Sequence, residues 1–142
     1  MADEDALLAL LTRRTRGALA TIKRDGLPQL STLDFLYEPA KHLIRISVTD
    51  GRAKTTNLRR DPRASLYVST PEGWAWTVAE CTAELTSVAT DTHDDTVEEL
   101  VEVYQRLRGA HPDWQEYREA MVADQRLVLR LHVQRAYGQP EV

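Results

Sequence analysis

Polar and apolar positions along this chain change period twice. Near the start Leu7, Leu8 and Leu11 recur at helical spacing, behind the acids Asp3, Glu4 and Asp5 and ahead of Arg13 and Arg14. Acid first and base last complements a helix dipole, so residues 3–13 read as a short amphipathic helix. From Ala18 the period falls to two. Residues 18–23 read as a strand, Arg24-Asp25-Gly26 as a hairpin turn of the Asp-Gly kind, and residues 29–37 as a second strand after Pro28. Glu38-Pro39-Ala40-Lys41 then turns the chain into a third strand over residues 43–49, with Ile44, Ile46 and Val48 on one face. These connections are too short for crossover helices, so the opening is an antiparallel meander.

Asp50-Gly51 breaks the third strand, residues 52–60 read as a short helix, and Asp61-Pro62 ends it. Ala64, Leu66 and Val68 alternate with Ser65, Tyr67 and Ser69 in a fourth strand. Pro71-Glu72-Gly73 leads into a fifth, from Trp74 to about Leu85. There Trp74, Trp76 and Val78 share one face, whereas Cys81, Ala83 and Leu85 lie on the other. That switch of apolar side predicts a bulge or a barrel corner. The period then becomes helical again. Val97, Leu100, Val101, Tyr104 and Leu107 follow an i, i+3, i+4, i+7 stripe between Thr92, Asp94 and Asp95 at the start and Gly109 at the end. A shorter helix over residues 113–123 carries Trp114, Tyr117 and Met121, and Leu127, Leu129, Leu131 and Val133 mark a last strand to about Tyr137. The expected fold is mainly β: a six-stranded antiparallel sheet with peripheral helices, closed into a small barrel that hides its edges. No repeat or linker interrupts the pattern, so residues 1–142 are expected to form one domain.

Composition removes several classes of function. A hydrophobic share of 42% and a charged share of 28% suit a globular protein with a real core. A net charge of -4 speaks against a general nucleic-acid binder, which needs surplus cations against phosphates. The lone Cys81 has no internal disulfide partner and sits in a strand without a neighbouring base, which favours a buried, inert thiol over a nucleophile. His42, His93, His111 and His132 lack zinc-ligand spacing, so no metal is expected. No apolar run reaches ~20 residues, and Met-Ala-Asp-Glu-Asp is the wrong charge for a signal peptide. A cytoplasmic protein without a membrane partner is the expectation. The six glycines form neither GxGxxG nor a Walker loop, and there is no G-x-S-x-G or H-E-x-x-H. No residue stands out as catalytic.

One segment is informative. In Gly51-Arg-Ala-Lys-Thr-Thr-Asn-Leu-Arg-Arg-Asp-Pro-Arg63, the cations Arg52, Lys54, Arg59, Arg60 and Arg63 face a single acid, Asp61. A cation in a first helical turn opposes the dipole and needs compensation. An anion held by Arg52, Lys54, the Thr55 hydroxyl, the Asn57 amide and free backbone N–H groups would supply it. A solvated basic helix fits the same residues. Gln29, Ser31 and Thr32 on the second strand and Ser47 on the third could fix the polar edge of a flat heterocycle, though such residues also populate solvated strand faces. Trp74 and Trp76 could cap a planar ligand, fill a dimer interface or pack in the core.

Taken together, Ala18–Ser31 with its G-L-P-Q-L-S run, Arg52–Ser65 with R-A-K-T-T-N-L-R-R-D-P-R, Gly73-Trp74 and Tyr117-Arg-Glu-Ala-Met121 resemble the pyridoxamine 5'-phosphate oxidase-like split-barrel proteins. The likeness runs from about residue 6 to 139 and is strongest to an actinobacterial branch that uses the deazaflavin coenzyme F-420. The resemblance implies an FMN-binding type of split barrel, a homodimer and two cofactor sites at the subunit interface. It further implies that Arg52, Ala53, Lys54, Thr55 and Asn57 hold the cofactor phosphate. Gln29, Ser31, Ile46 and Ser47 would line the ring and ribityl region, with Trp74 and Trp76 closing the pocket. The implied activity is hydride transfer from reduced F-420 to an activated double bond of a small-molecule substrate. Two alternatives stand beside it: an FMN-dependent oxidase of pyridoxamine phosphate, and a carrier that binds the deazaflavin without turnover. Against the oxidase, the chain is short and shows no extra basic residues placed for a second phosphate.

Overall fold

The structure is a computed structural model and describes residues 3–141. The chain runs through α1 (Glu4–Arg13), β1 (Arg16–Ile22), β2 (Pro28–Asp34), β3 (Leu36–Glu38), a 3-10 turn (Pro39–Lys41), β4 (Leu43–Thr49), α2 (Ala53–Arg60), β5 (Arg63–Ser69), β6 (Trp76–Leu85), α3 (Asp95–Arg108), α4 (Trp114–Ala123) and β7 (Arg126–Gln139). The strands form one sheet in the order β2-β1-β5-β6-β7-β4-β3, with every pairing antiparallel. It curls into a half-barrel with α1 packed against its inner side and α3 and α4 on its outer face. Its core combines Leu19, Ile44, Ile46, Leu66, Val68, Leu127, Leu129 and Leu131 from the inner faces of the strands. Leu8, Leu10 and Leu11 of α1 join them, and Thr77 Oγ1 ties β6 to that helix by donating to the Leu7 carbonyl at 2.7 Å.

Seven strands replace the expected six. The stretch expected as one strand over residues 29–37 is split at Phe35, because β2 pairs with β1 whereas β3 pairs with β4 at the other end of the strand order. Phe35 is 1% exposed, and its N–H donates to the Thr15 carbonyl at 2.8 Å. It anchors the crossing from one sheet edge to the other. The hairpin turn stands where the Asp-Gly pair put it. Gly26 takes φ 90, where a side chain would be strained, and Asp25 accepts from the Leu27 N–H at 3.0 Å.

The fifth expected strand needs a correction. In β6 the inward side does not switch: Thr77, Ala79 and Cys81 are buried and Ala83 and Leu85 continue on the same face. Trp76 and Val78 therefore lie on the outer face throughout. The register slip expected there does exist, opposite Glu80 and Cys81, where β7 passes from Arg135 to Val133 with Gln134 as the extra residue. Cys81 is buried, and burial pushes its thiol up to about 12. The outer face of β4 and β7 is covered by α3 and α4, whose Val97, Leu100, Tyr117 and Met121 pack on Val128. Both helices carry side-chain caps, Asp94 accepting from the Val97 N–H at 2.8 Å and Asp113 from the Glu116 N–H at 3.1 Å.

Candidate functional site

A cleft of about 460 Å3 opens where the end of β4, the start of α2 and the α3–α4 pair meet. Ser47, Val48 and Thr49 form its floor, Arg52 and Lys54 one wall, and Val103, Tyr104, Leu107 and Met121 the apolar wall opposite. Leu33 and Asp34 close it from β2, and Arg126 enters from β7. The local sequence explains the first wall. Gly51 takes φ 83 at the strand exit, and Thr55 Oγ1 donates back to the Thr49 carbonyl at 3.0 Å, which fixes the turn from β4 into α2. Arg52 is the N-cap but makes no side-chain cap bond. Among the described residues the N–H groups of Ala53, Lys54 and Thr55 have no hydrogen-bond partner.

Electrostatics at this corner are one-sided. Arg52 and Lys54 have no ion-pair partner among the described residues, although the structure is otherwise laced with such pairs. The acid in the cleft, Asp34, is engaged by Arg16 at 3.0 Å and by Arg108. Burial, with the nearby charges of Arg52 and Arg126, pulls the Lys54 ammonium below its ordinary pKa. Four cations, of which Arg108 is paired with Asp34, and an open helix N-terminus thus share one pocket with an apolar wall. That arrangement suits a molecule carrying both an anionic group and a flat apolar body.

Of the residues singled out in the sequence, the cleft brings together Ser47, Arg52 and Lys54, with the Ala53 N–H beside them. Others sit elsewhere. Ile46 is 1% exposed in the barrel core, on the strand face opposite Ser47. Asn57 is buried, and its Nδ2 donates to Thr21 Oγ1 at 3.1 Å. Thr21 in turn donates to Gln29 Oε1 at 3.2 Å, and Gln29 Nε2 reaches Ser31 Oγ at 3.5 Å. This relay clips α2 onto the β1–β2 hairpin. Gln29 and Ser31 share a strand face with Leu33, which reaches the cleft. Trp74 is 84% exposed on the turn before β6. Trp76 lies between Tyr67, tilted at 6.0 Å, and Tyr137, edge-on at 6.1 Å. Trp76 pairs with Gln139 at the far end of β7 from Arg126; that strand has 14 residues, on the order of 45 Å of extended chain.

Two features had no signal in the sequence. Arg126 joins the cleft only because β7 pairs with β4 in the register Thr49↔Arg126. Beside the cleft, Arg45 and Arg130, opposite each other in the same ladder, share Glu99 of α3 at 3.5 and 2.5 Å. Arg45 also meets Glu38, and Glu102 at 2.8 Å. This ion layer holds α3, and so the apolar wall, against the sheet.

A curled antiparallel sheet with a basic, uncapped helix N-terminus facing an apolar wall defines a split-barrel protein with a cleft suited to an anionic ligand. Residues 3–139 match the family model described as pyridoxamine 5'-phosphate oxidase, and the chain belongs to that family. Over 138 residues it is 28% identical to the F-420H(2)-dependent biliverdin reductase of Mycobacterium tuberculosis, covering 97% of this chain and 89% of that protein. Among solved structures, a conserved hypothetical protein from Mycobacterium tuberculosis superposes with a TM-score of 0.75 at 22% identity, covering 99% of this chain and 86% of the other. An F-420 reductase superposes at 0.69 with 22% identity, covering 91% and 94%.

Proposed function

We propose that this protein is a reductase that binds coenzyme F-420 and uses its reduced form on a small organic substrate with an activated double bond. The observation that carries this reading is the uncompensated pair Arg52 and Lys54 at the open N-terminus of α2, facing an apolar wall. A phosphoryl group fits there: two cations and the N–H groups of Ala53, Lys54 and Thr55 await an acceptor. The similarity to an F-420H(2)-dependent biliverdin reductase supports the deazaflavin over other phosphorylated cofactors. When bound, the reduced coenzyme supplies a hydride. The chain's own contribution is position and exclusion of water: Ser47 offers a hydroxyl at the cleft floor, and Val103, Tyr104, Leu107 and Met121 shield one side.

A homodimer belongs to the same proposal. Tyr67, Trp76, Val78 and Tyr137 form an apolar outer face on β5, β6 and β7, with Tyr67 42% and Tyr137 50% exposed. A second copy covering that face would bring Trp74 and Trp76 of one protomer toward the cofactor of the other, which accounts for aromatic residues that lie far from the cleft in a single chain. FMN remains the specific rival because the family is described by an oxidase of pyridoxamine phosphate. Fluorescence titration of the purified protein with F-420 and with FMN decides between them. Tighter binding of F-420 is expected; preference for FMN defeats the assignment. Oxidation of reduced F-420 on addition of enones, quinones or tetrapyrroles is expected, and its absence across that panel would leave a carrier.

A further inference from the structure

We infer that Arg126 is the carboxylate-binding residue of this cleft, which therefore holds two anionic groups: a phosphoryl group on Arg52 and Lys54, and a carboxylate on Arg126 beside the Ser47 hydroxyl. The inference rests on the proposed function in taking F-420 as the cofactor, and adds to it a second subsite on a different element.

Arginines on the same outer sheet face are neutralised. Arg45 meets Glu38, Glu99 and Glu102, Arg130 meets Glu84 and Glu99, and Arg135 meets Glu80 at 3.1 Å. Arg126 is different. Its nearest carboxylate, Asp124 Oδ2, stands 3.8 Å from Nε, beyond hydrogen-bond distance, on a side chain 57% exposed. Nη1 reaches only the Ser47 carbonyl at 3.4 Å and the Ser47 hydroxyl at 3.3 Å, both long. Nε is buried without a hydrogen-bond partner, and Nη2 has none among the described residues. Arg126 nevertheless lines the cleft. A planar fork so weakly held matches the two oxygens of a carboxylate, where an ammonium would offer only a point charge. Arg52 and Lys54 approach from the helix side, whereas Arg126 comes from the strand paired with Thr49, so two anionic groups are better served than one. Asp34 cannot neutralise it, being held by Arg16 and Arg108.

The carboxylate has two sources, the glutamyl tail of the coenzyme or an acidic substrate. FMN has a closely related tricyclic ring and a phosphate monoester in place of the phosphodiester of F-420, but no carboxylate. If the tail is the source, Arg126→Met weakens F-420 binding about tenfold and changes FMN binding by less than about twofold, with Arg126→Lys in between. If the substrate is the source, Arg126→Met leaves both titrations alone but raises KM about tenfold for a carboxylate-bearing acceptor, while KM for its methyl ester stays put. Either result supports the inference. Equal weakening of F-420 and FMN would overturn it in favour of one merged phosphate site, and no change in any arm would reduce Arg126 to packing. A wild-type protein that binds FMN and not F-420 sinks the cofactor assignment alone, since the acid and ester comparison with FMN loaded still decides on Arg126.

Discussion

Lys54 carries a charge that its surroundings oppose. Burial, then Arg52 and Arg126, lower its pKa in the folded protein. Between that lowered value and the ordinary lysine value of about 10.4, the unfolded chain binds more protons than the folded one, so this group makes stability rise with pH across that window. Below it, the protonated ammonium weighs against folding unless an anion is present. Lys54→Ala should therefore leave the melting temperature at neutral pH unchanged or slightly higher, while cofactor affinity falls about tenfold. Inorganic phosphate should raise the melting temperature of the wild type more than that of the variant, as scanning fluorimetry would show. A melting temperature several degrees lower with affinity intact would make the basic turn a folding element. At this scale Arg52 and Lys54 were legible because their spacing and local charge stood out in an acidic chain. The same motif could not say which of its polar residues face outward. Thr55 and Asn57 spend their side chains on Thr49 and Thr21, and that choice appears only once α2 packs on its neighbours.

Among the elements, α3 is held to the sheet by charge as well as by its apolar stripe. Arg45 is 7% exposed and Glu99 14%, so this ion layer is largely desolvated. Removing one partner of such a pair is costly because the other stays buried and uncompensated. Glu99→Gln is expected to lower unfolding free energy by about 3 kcal/mol and to speed amide exchange along residues 95–108, the helix that walls the cleft. Chemical denaturation with exchange mass spectrometry would check both; an unchanged midpoint would assign the wall to Val97 and Leu100 alone. The helices themselves were plain in the sequence, since caps and stripes are local. The Arg45–Glu99–Arg130 layer was not, because its members are scattered through the chain and meet only through strand register. In β6, alternation misled in an instructive way. Trp76 and Val78 look like core positions, yet the buried side is that of Thr77, Ala79 and Cys81. Two apolar faces on one strand mean that the outer one has a use beyond the protomer's own core.

For the whole molecule, that use is expected to be self-association. Joint replacement of Tyr67→Ser and Trp76→Ser should convert a dimer into a monomer in sedimentation velocity while the far-ultraviolet dichroism stays folded. A wild-type monomer, or a variant that still sediments as a dimer, removes this face as the interface. Antiparallel character could be read from the spacing of turns; the split of one strand at Phe35 and the strand order could not, since they depend on which distant edges meet. Nothing local to residues 126–139 announces that this strand lies between β6 and β4. Its position has a temporal side. As the chain leaves the ribosome, β2, β1, β5 and β6 can assemble as one leaf and β4 with β3 as another, but no hydrogen-bonded ladder joins the leaves until β7 slides between them. Arg126 arrives with that same strand. The cleft is therefore complete only once the sheet has closed.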